Sequence, residues 1–127
     1  KKIDSYEPEI EKIKENLNAQ IQKEQDLVKK IEDNRELLTS NQLAISKNEL
    51  HLEELSEKIK DLGTKSAAVK TEKEMKALQL EEEIAKEQID FANEEIERLE
   101  NMKESKEAEI VELEEKIESM KSETEEI

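Results

Sequence analysis

The stretch DLGTKSAAVKTEKEM, residues 61–75, contains the only glycine of the chain and separates two long charged segments. A glycine just past the end of a helix adopts the left-handed conformation at the lowest steric cost, so Gly63 is predicted to end a first helix. Thr71 stands three residues before Glu74, which is the capping-box spacing at the start of a second helix. The stretch therefore predicts a loop over about residues 63–71 between two helices.

An apolar heptad repeat runs through the segment before this loop. With Ile3 as position a, eight of nine a positions up to Ile59 are apolar, as are five of nine d positions up to Leu62. A sustained repeat of this kind is the signature of a helix that a partner helix buries along one seam. The first helix is predicted over about residues 1–62, and it either begins near Pro8 or passes through it with a kink.

The repeat after the loop has a different frame. Counted from Met75, twelve of sixteen a and d positions are apolar. The change of frame divides the coil into two helices, and the second is predicted over about residues 72–127. Because helices joined by a short loop are antiparallel neighbours, we expect an all-α, long antiparallel two-helix coiled-coil hairpin, in which residue i faces about 134 − i.

The composition supports this fold over other classes. The chain of 127 residues is 45% charged and 2% aromatic, with one proline, no cysteine and a net charge of −15. Such a composition fits disorder or long helices with a narrow seam, and the heptads favour helices. No membrane span or signal peptide is expected, because no apolar run is long enough. Without cysteine, the chain offers no disulfide or thiolate metal site.

Three asparagines interrupt the first seam. Asn34, Asn41 and Asn48 occupy successive d positions. The expected pairing places Asn41 near Ala92. It likewise places Asn48 near Ala85, which leaves room for amide hydrogen bonds or water. These amides either fix the register of the two helices or bind a ligand.

No catalytic, cofactor or metal site is predicted within the chain. The single histidine, His51, falls on the flank of the coil and is expected to be solvated. Acidic residues at helical spacing form a solvated face. Two helices enclose no concave pocket and exclude too little water to tune a carboxylate pKa for catalysis. We therefore expect a protein that is not an enzyme.

The loop region is the one positive part of an acidic chain. Residues 63–80 carry four lysines and two glutamates, whereas residues 81–127 have a net charge of −13. Such an acidic body repels phosphate backbones, so nucleic-acid binding is not expected. The loop charges either keep the loop soluble or dock an acidic surface of a protein partner. The candidate residues, called the tip, are Lys70, Lys73, Glu74 and Lys76.

A side stripe of apolar residues outside the seam is the second candidate surface. Ile84 and Phe91 share heptad position c with Ala77, and the expected pairing puts Leu43 at the height of Phe91. Isolated apolar residues are ordinary on a surface, but three at one lateral position suggest a contact stripe. Self-association into a four-helix homodimer, binding of a different protein, and mere crystal packing all remain open.

Residues 44–100 resemble the coiled-coil hairpin of bacterial zinc-ribbon proteins. The segment KTEKEMKAL, residues 70–78, resembles the tip motif of that family. The short segments ISKNE and IAKE also resemble the family's sequences. The resemblance is greatest to members from epsilon-class proteobacteria, and it extends to DSYEP at residues 4–8.

The resemblance implies both a cofactor and a partner. A ribbon with four zinc-binding cysteines is expected beyond residue 127, so the zinc would belong to that ribbon. Family members are cytoplasmic, chaperone-like proteins that bind the RpoN-class sigma factor, are linked to flagellar gene expression and export components, and in some cases bind flagellin mRNA. The alternative is a structural spacer from a chromosome-maintenance or filament protein, and the residues that follow Ile127 in the gene would discriminate the two.

Overall fold

Two helices joined by three residues form the structure, a computed structural model that describes residues 2–126 and, within them, the side chains of residues 7–123. Helix α1 spans Lys2–Ala68 and helix α2 spans Glu72–Glu126. They pack against each other, which confirms the all-α helical hairpin. Neither helix, within the described residues, is apolar enough over sufficient length to cross a membrane. Some predicted seam positions lie outside the described side chains: Ile3, Tyr6, Thr124 and Ile127.

Residue contacts divide the hairpin into two units. The terminal unit consists of Lys1–Leu38 with Ser105–Ile127, and the loop unit consists of Thr39–Glu104. The core of the terminal unit is formed by Ile31, Ile110 and Leu113, with Leu27, Leu38 and Ile117 packed against it. The buried apolar residues of the loop unit are Ile45, Leu55, Leu62, Ala85, Ala92 and Leu99.

Burial follows the predicted heptads. Every buried side chain among residues 7–123 lies at a predicted a or d position, including Asn34 and Asn41. Full burial of one Leu or Ile contributes about 1.5–3 kcal/mol relative to exposure. Because the seam is one or two side chains wide, the hairpin depends on many such contributions along its length.

Helix α1 contains both residues that usually interrupt a helix, Pro8 and Gly63. It passes through Pro8, so the helix does not begin at Pro8, which was one of the two predicted possibilities. The prediction that Gly63 ends the first helix is wrong, because α1 continues to Ala68 and Gly63 does not have a positive φ. A glycine inside a helix costs only about 1 kcal/mol relative to alanine, which neighbouring contacts can offset. The loop is therefore residues 69–71 instead of 63–71.

The first heptad frame continues up to this loop. Ser66 and Val69 occupy the next a and d positions, and both are half-buried. Ser66 Oγ lies 3.3 Å from Met75 Sδ, so residue i in the loop unit faces about 141 − i. The predicted pairing of 134 − i is wrong by one heptad. A shift of seven residues keeps the a and d positions of both helices on the seam, so the burial pattern holds although the pairing differs.

The first seam residues of α1 are exposed. Ile10, Ile13 and Leu17 are at a and d positions but remain accessible. In the terminal unit, Ile31 packs with Ile110 and Leu113, so residue i lies opposite about 141 − i to 144 − i. The positions that would face these three side chains therefore lie outside residues 7–123, whose side chains the structure describes.

Candidate protein-interaction surface

Short-range contacts anchor the loop at both ends. Thr71 Oγ1 accepts a hydrogen bond from the Glu74 backbone N–H at 3.3 Å, and its carbonyl accepts one from Met75 N–H at 3.1 Å. This confirms Thr71 as the N-cap of α2. On the other side, Val69 is half-buried and its N–H lies 3.5 Å from the Ser66 carbonyl oxygen. The tip is thus presented on a defined scaffold.

The lysines of the tip take no part in these contacts. Lys70, Lys73 and Lys76 are exposed, and within residues 7–123 none of them has an ion-pair or hydrogen-bond partner. Glu72 and Glu74 in the first turn of α2 suit the positive end of the helix dipole. Lys73, in the same turn, is electrostatically unfavourable there. The structure thus places the four tip residues at the loop and the start of α2, and the three lysine charges are unpaired among the described residues.

The side stripe forms an exposed apolar surface on α2. Ile84 and Phe91 are 46% and 70% exposed. Phe91 lies between two shallow grooves. One, of about 350 Å³, is lined by Asn48, His51, Gln88, Phe91, Ala92 and Glu95. The other, of about 290 Å³, is formed by α2 alone and lined by Glu87, Asp90, Phe91 and Glu94.

Leu43 is not part of this surface. It is 59% exposed, but it lines neither groove beside Phe91. In the observed pairing of the loop unit, Phe91 faces about residue 50 and Leu43 faces about residue 98. The prediction that Leu43 and Phe91 lie at one height is therefore wrong, because it used the pairing that is displaced by a heptad.

Sequence inspection missed two surface features, one in each unit. The acidic side chains beside Phe91 were treated only as part of a solvated face. In the terminal unit, Ile21 and Val28 are exposed seven residues apart and line a groove of about 600 Å³ with Lys121. Extending the heptad count of α1 to position e would have identified Ile21 and Val28, whereas the carboxylates beside Phe91 lie at outer positions that a heptad count does not distinguish.

The asparagine layers are buried without full hydrogen bonding. Asn34 and Asn41 are 6% and 8% exposed, and Asn34 Nδ2 and Asn41 Oδ1 have no hydrogen-bond partner among the described residues. Asn48 is half-buried and donates to the Ala44 carbonyl at 3.0 Å. The predicted pairing of the asparagines with alanines is wrong by a heptad, since Asn48 lines a groove with Ala92. Each unpaired buried group costs about 1–3 kcal/mol.

Two carboxylates have shifted pKa values because of nearby cations. The hydrogen bond from Arg98 lowers the pKa of Glu95, and the same contact raises the pKa of Arg98. Lys106, whose Nζ lies 3.2 Å from Glu109 Oε2, lowers the pKa of Glu109. The amide of Asn34 adds to this effect, although its Nδ2 does not complete a hydrogen bond. Exposed pairs of this kind contribute little to stability and do not indicate acid–base catalysis.

His51 lies at the edge of the groove beside Phe91. Its Nδ1 is 3.9 Å from Glu54 Oε2, and both side chains are more than half exposed. Within the part of the chain that the structure describes, no group of three or more His, Cys, Asp or Glu side chains is placed to hold a metal ion. His51 is therefore an exposed surface residue, and the described residues around it do not form a set of metal ligands.

Comparison with known proteins supports the helical hairpin and identifies no family. No family model and no curated protein matches the chain. Among solved structures, the chain is similar to the 2.2 Å structure of the HP0958 protein from Helicobacter pylori, with 31% sequence identity and a TM-score of 0.85. The match covers 98% of this chain and 53% of that protein, so the chain spans about half of its length.

Proposed function

We propose that this chain is a non-enzymatic, cytoplasmic arm that binds another protein through its loop. The observation that carries the proposal is the anchored loop with its exposed, unpaired lysines. The seam fixes the two helices, and the Thr71 cap fixes the start of α2, so the tip is presented to a partner in one arrangement. A preorganised surface loses less conformational entropy on binding than a mobile loop does.

The partner that we propose is an RpoN-class sigma factor or a flagellar export component, and the larger protein would be a zinc-ribbon protein. Two observations support this: the KTEKEMKAL segment at residues 70–78, and the likeness to HP0958 across 98% of the chain. The chain has no cysteine, and its described residues form no metal-binding group. A zinc ribbon would therefore supply its cysteine ligands from outside these 127 residues.

Electrostatics would set the rate and specificity of this association. Lys70, Lys73 and Lys76 form a local positive patch on a chain of net charge −15. The patch would attract an acidic partner surface, while the rest of the chain repels it, so the partner is directed to the loop. Such an association weakens as salt screens the charges over about 8–10 Å.

A charge-reversal pair tests the proposal. Lys73→Glu with Lys76→Glu should weaken binding of the purified RpoN-class sigma factor about tenfold or more, measured by isothermal titration calorimetry at about 0.15 M salt, because each lysine is exposed and unpaired. The matched control is Lys12→Glu with Lys14→Glu, which changes the same charge in the terminal unit and should alter affinity less than about twofold.

The helix content of both variants is measured by circular dichroism and should equal that of the natural sequence. Unchanged affinity of the tip variant would remove the loop from the binding site. Absence of any binding by the natural sequence to the sigma factor and to export components would favour the structural spacer.

A further inference from the structure

Phe91 and Ile84 form an unpartnered apolar face on one side of α2. Phe91, at 70%, is the most exposed large apolar side chain among residues 7–123. The two residues are seven positions apart, which corresponds to about 10.5 Å along the helix at 1.5 Å per residue. Two apolar side chains at this separation match the spacing of residues i and i+7 on an amphipathic helix that packs alongside.

The rim of this face is negatively charged. Glu87, Asp90 and Glu94 line the outer groove with Phe91. Within the described residues, none of these three carboxylates has an ion pair or a hydrogen bond. An apolar centre with unpaired carboxylates around it is complementary to an apolar side chain flanked by basic residues.

Nearby cations do not neutralise this rim. Lys86 pairs with Glu82 at 3.2 Å, and Arg98 pairs with Glu95. Residues 81–100 contain nine acidic and only these two basic residues. Both local cations are therefore engaged within α2, and the negative charge beside Phe91 is left for a partner to compensate.

We propose that this acidic face, formed by Ile84, Phe91, Glu87, Asp90 and Glu94, binds a basic amphipathic helix of a partner protein. The inference rests on the proposed function, since it specifies the chemistry of a protein partner. The partner helix presents large apolar residues seven apart, with lysine or arginine on either side. Two copies of this chain do not pair face to face here, because carboxylates would then lie against carboxylates.

A synthetic peptide tests the face directly. The probe is a fluorescein-labelled helix of about 21 residues with leucines seven apart and flanking lysines, and the matched peptide has glutamate in place of every lysine. Fluorescence anisotropy with the 127-residue chain should show binding of the lysine peptide that weakens steeply between about 0.05 and 0.3 M salt. The glutamate peptide should not bind.

Variants locate the binding. Phe91→Ala should weaken binding of the lysine peptide about tenfold or more, because the substitution removes the central apolar side chain of the face. Leu43→Ala, which removes a comparably exposed apolar side chain outside the grooves, should change the affinity less than about twofold. Both side chains are on the surface, so both variants should retain the helix content of the natural sequence.

Charge variants separate the rim from the overall charge of the chain. Combined Glu87→Gln, Asp90→Asn and Glu94→Gln should lower the affinity about tenfold and flatten its salt dependence. The control neutralises three exposed carboxylates of the terminal unit, those of Glu112, Glu115 and Glu118. The control should leave the affinity within about twofold, because those carboxylates lie outside the face.

Three results would overturn the inference: equal binding of the two peptides, unchanged binding by Phe91→Ala, or a dimer of the chain in sedimentation that Phe91→Ala abolishes. The last would assign the face to a second copy. The assay contains no sigma factor, so the two proposals fail independently. Peptide binding without binding of the sigma factor or of an export component refutes the proposed partners alone. Binding of either partner without peptide binding refutes the acidic face alone.

Discussion

Replacing Gly63 by alanine should stabilise the protein. Gly63 lies within α1, five residues before its end at Ala68, and it does not have a positive φ. A Cβ atom at this position meets nothing within 4 Å, so the added methyl group neither clashes nor packs. The effect therefore comes from the helix propensity of the residue and from the smaller conformational entropy of the unfolded chain.

The expected gain is about 0.8 kcal/mol, near the lower end of the difference between glycine and alanine in a helix interior. For a urea m-value of about 2 kcal/mol per M, the midpoint of unfolding should rise by about 0.4 M. The midpoint is measured by circular dichroism at 222 nm. Ser56→Ala is the matched control, since Ser56 is exposed one heptad earlier, and it should raise the midpoint by about half as much or less.

The sign of the change decides between two conformations. If Gly63 occupied the left-handed conformation of a helix end, a Cβ would cost about 1 kcal/mol or more and the midpoint would fall. A lower midpoint for Gly63→Ala, with the Ser56→Ala control unchanged or raised, would refute the continuous helix up to Ala68.

The other predictions concern a buried amide, the cap and an ion pair. Asn34→Leu should raise the unfolding free energy by about 1–3 kcal/mol in urea titration, because it removes a buried amide nitrogen without a hydrogen bond; no change or a loss would mean that the amide is satisfied. Thr71→Ala should lower the unfolding free energy by about 0.5–1 kcal/mol in the same assay, because the N-cap hydrogen bond is lost. An unchanged unfolding free energy would show that Thr71 does not cap α2. In carboxyl NMR titration, Lys106→Met should raise the lowered pKa of Glu109 toward its ordinary 4.5. Because the folded-state pKa is the lower one, the pair's contribution is present above pH 4.5 and is lost as the pH falls through the folded pKa.

The sequence predicted the seam well because heptad burial is a local property. Each helix turns through the same angle per residue, so Ile31 and Leu113 could be assigned to the seam without knowledge of the residue opposite. Pairing is different, since it depends on the position of the turn. One misassigned glycine displaced the predicted pairing across the loop unit by about seven residues, while it left every a and d position unchanged.

The position of the turn could not be predicted because several weak effects compete there. Gly63 disfavours the helix by about 1 kcal/mol, which is comparable to the contribution of half-burying Ser66 and Val69 on the seam. The cap at Thr71 acts only on α2 and does not determine where α1 ends. Residues 64–68 contain no proline or glycine, so α1 continues until the cap begins the next helix.

The candidate surface was predictable residue by residue but not as an assembly. Lys73 and Phe91 were identified because each departs from the pattern around it, one in charge and one in hydrophobicity. The residues that surround Lys73 and Phe91 could not be predicted in the same way, because they depend on contacts across the seam and on which charges are already paired. The carboxylates beside Phe91 became distinctive only when the nearby Lys86 and Arg98 proved to be engaged elsewhere.

Two proposed surfaces of opposite charge on one helix have a consequence for partner choice. Lys73 and Phe91 are 18 residues apart on α2, which corresponds to about 27 Å along the helix axis. A partner with an acidic patch and a basic helix at this separation would engage both surfaces, and the second contact would form at a high effective concentration. A partner with only one of the two would bind at one site and dissociate faster. For a bivalent partner, the double variant Lys73→Glu with Phe91→Ala should therefore lose less affinity than the product of the two single fold-losses. The reason is that loss of either contact already removes the advantage of linkage.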